Sequence, residues 1–317
     1  MSREGLISPV LTKELKERFR TSRGPLVIFL YVGAVIAITL AFIYLNYRHN
    51  PVSFHPERSR EIFIMLSMLQ LFLIAFVTPG LSAGVISSER ERQTLNILLT
   101  TRLSAASIIL SKLISSLAFT VLLVVATIPV YAMVTLYGGI AAKQLAAVFG
   151  LYFLNMVFFG SVGVFWSTWI RRTGISTVAA YACIFALVVS TALGAELMDQ
   201  YLRSQVMVQY QNTAAVTAPA PVHPEMSPYS GAGPGYSPPP VYESPAIVWI
   251  LRGLNPVIVM ISLFESMGWG GGTFWLEPWK IFTIGYAVLS ICFILLSIYL
   301  LPPVRRGLRG VIGWKKF

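Results

Sequence analysis

Long apolar stretches alternate with shorter polar ones along most of the chain. Crossing the hydrocarbon core of a bilayer takes about 20 apolar residues in a helix. Six stretches are long and apolar enough, so the pattern predicts six transmembrane helices. Pro79 and Pro129 lie inside the second and third of them and are expected to kink those helices. The predicted spans are Pro25–Leu45, Ile62–Ile86, Ala106–Leu136, Leu145–Ile170, Ser176–Ala195 and Trp279–Leu301.

The longest stretch outside these spans is 196–278, between the fifth and the sixth. Within it, 213–245 holds nine of the 19 prolines and is predicted to be disordered, because too little of it could be buried to offset the cost of ordering. The part 246–267 is apolar but is interrupted by Arg252, Gly253, Asn255 and Pro256. An interrupted apolar stretch predicts a re-entrant or interfacial segment buried against protein.

The segment before the first span, 1–24, has a different pattern. Leu11, Leu15 and Phe19 recur every four residues, with basic residues between them. This spacing predicts an amphipathic helix that lies on the membrane surface. The alternative is a basic tail that only sets the orientation of the chain in the membrane.

Basic residues orient the predicted spans. If the N-terminus is inside, the inner segments hold 17 of the 24 Lys and Arg residues. Short segments rich in Lys and Arg stay on the cytoplasmic side. Both termini and the loop 87–105 are therefore predicted to be cytoplasmic, and 196–278 to be outside. The predicted organisation is 1–24, then 25–195 with five spans, then 196–278, the sixth span at 279–301, and the basic tail 302–317.

Composition and charge agree with this organisation. Of the 317 residues, 56% are hydrophobic and 12% are charged, with a mean hydropathy of +0.70. An average soluble domain is about 25% charged, so the composition argues against a soluble enzyme. The net charge of +11 follows from the basic inner segments, so membrane lipid is an expected partner and nucleic acid is not. The predicted fold class is an all-α polytopic membrane protein.

The sequence lacks the motifs of nucleotide, metal and proton chemistry. Without a Gly-x-x-x-x-Gly-Lys-Ser/Thr phosphate loop, we expect neither enzyme activity nor a bound cofactor on this chain. His49, His55 and His223 are far apart in sequence, which gives no support to a metal site. The spans carry almost no ionisable residues, which argues against an ion-coupled carrier. Cys183 and Cys292 lie in apolar runs and are expected to be free thiols.

Small and mildly polar residues predict how the spans pack. Two stripes repeat every four residues: Gly33, Ala37 and Ala41 in span one, and Ala182, Ala186, Ser190 and Gly194 in span five. Small residues permit close helix approach, either within one bundle or at a seam between two copies. Polar residues such as Gln70, Ser82 and Asn155 are expected to make hydrogen bonds between helices.

The loop between spans two and three carries charges of both signs beside an apolar patch. Glu89 and Glu91 alternate with arginines, and Leu95, Leu98 and Leu99 follow within a few residues. Apolar contacts give an interface its affinity, and charges set its register. The loop is therefore predicted to contain a short amphipathic helix that docks on another protein.

The same stretch resembles the coupling loop of type-2 ATP-binding-cassette (ABC) transporter permeases. Gln93 stands where that family usually has Gly, and Arg102 where it usually has Pro. The layout is also similar, with an amphipathic N-terminal helix, six spans and a re-entrant segment before the sixth. The residues that match the family pattern are Glu89, Glu91, Thr94, Leu95, Leu98, Leu99, Thr101, Ser104 and Lys112.

The resemblance implies a permease subunit, most often of an exporter, that pairs with a second permease, identical or homologous. Two cytoplasmic ABC ATPase subunits would hold ATP and Mg, and their closure would push on the loop and on the N-terminal helix. The location that the resemblance implies is a bacterial plasma membrane. The competing hypothesis is a membrane anchor or scaffold that recruits a cytoplasmic partner without transport.

Overall fold

The computed structural model describes residues 23–49, 56–95, 104–136, 142–217, 244–264 and 278–301. Within these ranges the chain forms ten helices and no strand. Helices satisfy every backbone donor and acceptor locally, which a bilayer requires. The helices are α1 Arg23–His49, α2 Pro56–Ser82, α3 Ser87–Glu91, α4 Ala105–Ala126, α5 Ile128–Leu136, α6 Ala142–Trp169, α7 Thr173–Thr217, α8 Ala246–Gly253, α9 Pro256–Phe264 and α10 Pro278–Leu300.

Six segments in the described part of the chain are long and apolar enough to cross a bilayer. Their number confirms the predicted all-α polytopic class. The third contains the break between α4 and α5, next to Pro129. The segments are Pro25–Leu45, Arg60–Glu91, Ala105–Thr135, Lys143–Trp169, Thr173–Thr213 and Pro278–Leu300.

The fifth helix is longer than the sequence pattern predicts. The predicted span ends at Ala195, whereas α7 continues to Thr217. No Gly or Pro interrupts 196–217, so nothing in the backbone ends the helix there. Part of the stretch predicted to be disordered is therefore helical, and 218–243 lies outside the described residues. The predicted N-terminal helix with Leu11, Leu15 and Phe19 also lies outside them.

Helix α6 lies at the centre of the bundle, in contact with α2, α4, α7, α9 and α10. It runs parallel to α2. Near the start of the two helices, the Tyr152 hydroxyl donates to the Ser67 carbonyl at 3.0 Å. Near their ends, the Ile86 backbone N–H donates to Ser167 Oγ at 2.8 Å. The interior between them is apolar and aromatic and includes Phe63.

Hydrogen bonds of the polar residues differ in part from the prediction. Gln70 Nε2 donates to the Tyr31 hydroxyl at 2.8 Å and so joins α2 to α1, as predicted. Ser82 and Asn155 instead donate to carbonyl oxygens one turn earlier in their own helices. A short polar side chain in a helix reaches its own backbone more easily than a neighbouring helix.

Helices α8 and α9 meet at an angle of 96° in the interrupted apolar stretch. Asn255 occupies the bend, where its Oδ1 accepts from the backbone N–H groups of Val257 and Ile258 at 3.0 and 3.2 Å. This caps the N-terminus of α9. Asn255 Nδ2 donates to the Val188 carbonyl of α7 at 2.8 Å. Asn255, one of the residues that interrupt the apolar pattern, therefore starts α9 and ties the bent pair to α7.

A buried carboxylate ties α8 to the extended part of α7. Asp199 is 4% exposed. Its Oδ1 accepts from Ser244 Oγ at 2.8 Å, and its Oδ2 accepts from Arg203 at 3.3 Å and Arg252 at 3.4 Å. A buried charge is tolerated only when it is paired and hydrogen-bonded. These contacts, which we call the Asp199 cluster, hold the bent pair against α7.

Candidate functional site

The loop predicted to dock on a partner begins with a turn, 83–86, at the end of α2. The Ile86 backbone N–H donates to Ser167 Oγ in the last turn of α6. Ser176 Oγ, in the first turn of α7, donates to the Ala83 carbonyl at 2.6 Å. The turn is therefore fixed against two other spans, although the sequence gives no sign of these serine contacts.

Glu89 of α3 forms an ion pair with Lys112 of α4. The Lys112 side chain is 8% exposed and that of Glu89 is 23% exposed. Water therefore screens this pair poorly, and either charge would be costly to leave without the other. The pair joins the loop to the third span.

Glu91, at the end of α3, binds the first residue of α7. Its carboxylate accepts from the Thr173 backbone N–H at 2.8 Å and from Thr173 Oγ1 at 2.9 Å. The first N–H groups of a helix have no partner within the helix, and a negative charge there also interacts favourably with the helix dipole. Glu91 is exposed. Its hydrogen bonds to Thr173 nevertheless join the loop to the fifth span.

The turn after α3 requires a left-handed residue, and that residue is Gln93, with a φ of 60°. The Gln93 N–H donates to the Arg90 carbonyl at 3.1 Å, and the Thr94 N–H to the Glu89 carbonyl at 3.0 Å. This pair of bonds is a Schellman motif, in which Gly is the usual left-handed residue. The turn thus forms with Gln at the position where type-2 ABC permeases usually have Gly. The left-handed conformation of a residue other than Gly costs about 1–2 kcal/mol.

The residues predicted to dock on a partner have different environments. Thr94 is exposed, and Ser104 caps α4 by accepting from the Ser107 backbone N–H at 3.2 Å. Leu95 is 5% exposed and packs against apolar side chains of α4 and α6. Leu95 is therefore a core residue in this conformation, a role within the chain that the prediction did not include. The remaining three, Leu98, Leu99 and Thr101, lie outside the described residues.

Most of the two small-residue stripes are open in the single chain. A Cβ added at Gly33 would meet no atom within 4 Å. Gly33 and Gly194 are half-buried, and a Cβ at Gly194 would lie 3.8 Å from Leu251. Packing within one bundle therefore does not account for the stripes in the described part of the chain. The exposed members are Ala37, Ala41, Ala182, Ala186 and Ser190.

Comparison with known proteins places these features in one family. The sequence model of the family described as ABC-2 family transporter protein matches residues 9–299. The match includes the loop, both small-residue stripes and the bent pair. No curated protein shows a significant sequence match to the chain.

Proposed function

Since the chain belongs to the family of ABC-2 transporter proteins, we propose that it is the permease subunit of an exporter driven by separate cytoplasmic ABC ATPase subunits. ATP and Mg bind to those partners, because this chain has no phosphate-loop motif, and the chain itself is not an enzyme. A second permease, identical or homologous, completes the path through a bacterial plasma membrane. The open stripes on α1 and α7 are available for that second subunit.

The observation that carries this proposal is the attachment of α3 to two further spans. Glu89 joins it to α4 through an ion pair, and Glu91 joins it to α7 through two hydrogen bonds. Helix α3 itself continues the second span. A force applied to this loop by a partner would therefore reach three spans through direct contacts and not through a flexible linker.

Thr94 tests this proposal because it is exposed at the tip of the described part of the loop. We expect a Thr94→Cys variant, made after Cys183 and Cys292 are replaced by Ala, to form a cross-link with a co-purified ATPase subunit. A short bifunctional maleimide and an immunoblot against the ATPase measure it. The matched control is Lys143→Cys, which is exposed at the opposite end of the bundle and should give no cross-link.

The outcome also separates transport from the scaffold hypothesis. A transporter should show ATP turnover that depends on this chain, and that turnover should fall when Thr94→Cys is cross-linked. Cross-linking equal at Thr94 and Lys143 would contradict the assignment of the loop. A cross-linked partner without ATP turnover would favour the scaffold.

Orientation follows from the proposal and can be measured separately. We expect a cysteine introduced at Ser230 to react with a membrane-impermeant maleimide in intact cells. The Thr94→Cys variant should react only after the membrane is permeabilised, because the positive segments keep this loop inside. Labelling of Thr94→Cys in intact cells would show that the loop and both termini face outward.

A further inference from the structure

A three-residue connection, 170–172, joins α6 to α7. Both helices belong to segments apolar enough to cross a bilayer, the first ending at Trp169 and the second beginning at Thr173. So short a link between two spans cannot leave the membrane surface, since three residues reach only about 10 Å when extended. The connection therefore lies at the depth of the lipid headgroups.

Three arginines meet at this connection, and a fourth, Arg92, directly follows Glu91, which binds Thr173 at the end of the connection. Arg171 and Arg172 form part of it, and both are exposed. Arg90 and Arg92 come from α3 and the turn after it. Arg90 is held at the connection, because its Nη2 donates to the Thr168 carbonyl in the last turn of α6 at 3.2 Å. We call these residues the arginine cluster.

Within the described residues, carboxylates do not neutralise the arginine cluster. In the part of the chain that the structure describes, none of its four members forms an ion pair. Among the described carboxylates of α3, Glu89 is paired with Lys112, and Glu91, bound to Thr173, contributes one negative charge nearby. The cluster therefore keeps a net positive charge at the headgroup depth.

An exposed tryptophan lies next to the connection, at the same headgroup depth. Trp169 is 59% exposed and stacks on Trp166, with ring centroids 5.2 Å apart. Tryptophans of membrane proteins concentrate at the interface, where the ring contacts both acyl chains and headgroups. A ligand of the cluster would therefore have an apolar part beside Trp169 and a negative part beside the guanidinium groups, which bind phosphate with two donors at once.

We propose that the arginine cluster, Arg90, Arg92, Arg171 and Arg172, binds the phosphate of an anionic phospholipid headgroup. The site extends beyond the transport function, because it depends only on the membrane and on this chain. A lipid suits it better than an acidic protein, because the cations lie at the bilayer surface and adjoin a lipid-facing Trp169.

The test uses the full chain purified in detergent and mixed micelles of dioleoylphosphatidylglycerol and dioleoylphosphatidylcholine. Native mass spectrometry measures which lipid stays bound. The wild type should prefer phosphatidylglycerol, and Arg171→Gln with Arg172→Gln should lower that preference by about fivefold per arginine, the effect of one basic residue near a charged bilayer surface. The matched control, Arg60→Gln with Lys143→Gln, removes two charges at the other ends of α2 and α6 and should leave the preference unchanged.

A second variant separates charge from geometry. Arg171→Lys with Arg172→Lys keeps both charges but loses the two-donor contact, so its preference should lie between wild type and the Gln variant. An unchanged preference in the Gln variant, or an equal loss in the control, would overturn the site. Displacement of the lipid by soluble glycerol phosphate would indicate a soluble phosphate ligand instead. Loss of ATPase association with an unchanged lipid preference would make the cluster a protein-docking site.

Discussion

Lys112→Met is expected to lower the free energy of unfolding by about 3 kcal/mol, the lower end of the range for removing one partner of a buried ion pair. Met fills much of the volume of the Lys stem, so the loss comes from Glu89, whose carboxylate remains 77% buried without its cation. Glu89 Oε2 already lacks a hydrogen bond within the described residues, which leaves Glu89 little to replace the contact. Unfolding in mixed detergent micelles, followed by circular dichroism, measures the change.

A double-mutant cycle isolates the pair. Glu89→Gln removes the negative charge, and Lys112→Met with Glu89→Gln should recover part of the loss, because no buried charge then stands alone. Strictly additive effects of the two substitutions would show that the pair contributes nothing. A loop freed by Lys112→Met should also lose ATPase coupling while the spans stay inserted.

Gly163→Ala is expected to destabilise the bundle by about 2–3 kcal/mol, the upper part of the range for an overpacked site. A Cβ at Gly163 would lie 1.9 Å from Ser82 Oγ, 3.0 Å from Ser82 Cβ and 3.1 Å from the Ala83 backbone nitrogen. Rotating the Ser82 hydroxyl removes only the first of these clashes. The other two require α2 and α6 to move apart, which would disturb the turn that starts the loop.

The matched control lies on the same helix. A Cβ at Gly150 would meet no atom within 4 Å. Gly150→Ala should therefore be neutral or stabilise α6 by up to about 1 kcal/mol through helix propensity. Thermal unfolding of both variants in one detergent gives the comparison. Equal stability of Gly163→Ala and Gly150→Ala would mean that α2 and α6 are not in close contact at this point.

The spans could be predicted from the sequence because hydrophobic length is a local property. The extension of α7 could not, since 196–217 mixes polar and apolar residues and gives no continuous apolar signal, and it is stabilised by contacts such as the Asp199 cluster. Asn255 appeared only as an interruption of an apolar stretch, yet it caps α9 and binds α7. In the sequence, a residue that only interrupts a helix cannot be distinguished from one that caps the next helix. The position of the neighbouring helix decides between them.

In the loop, the sequence motif names residues but not the contacts that they make within the chain. The pattern assigns all of its matching residues to contacts with a partner. The structure uses Glu89 and Leu95 within the chain, because α4 and α6 approach the loop closely, which no local pattern records. Glu91 belongs to the motif, but Thr173, which donates hydrogen bonds to it, lies 82 positions away along the chain.

The Asp199 cluster also sets a minimum length for the chain that follows α7. Helix α7 rises about 27 Å from Asp199 to Thr217, at 1.5 Å per residue. Ser244 is held at the base of that rise by its hydrogen bond to Asp199. The intervening chain must therefore cover that height to return, and about eight fully extended residues are the fewest that can do so. Homologues that keep both anchors can vary this insertion in length and composition above that limit, whereas a shorter connection would require a shorter α7.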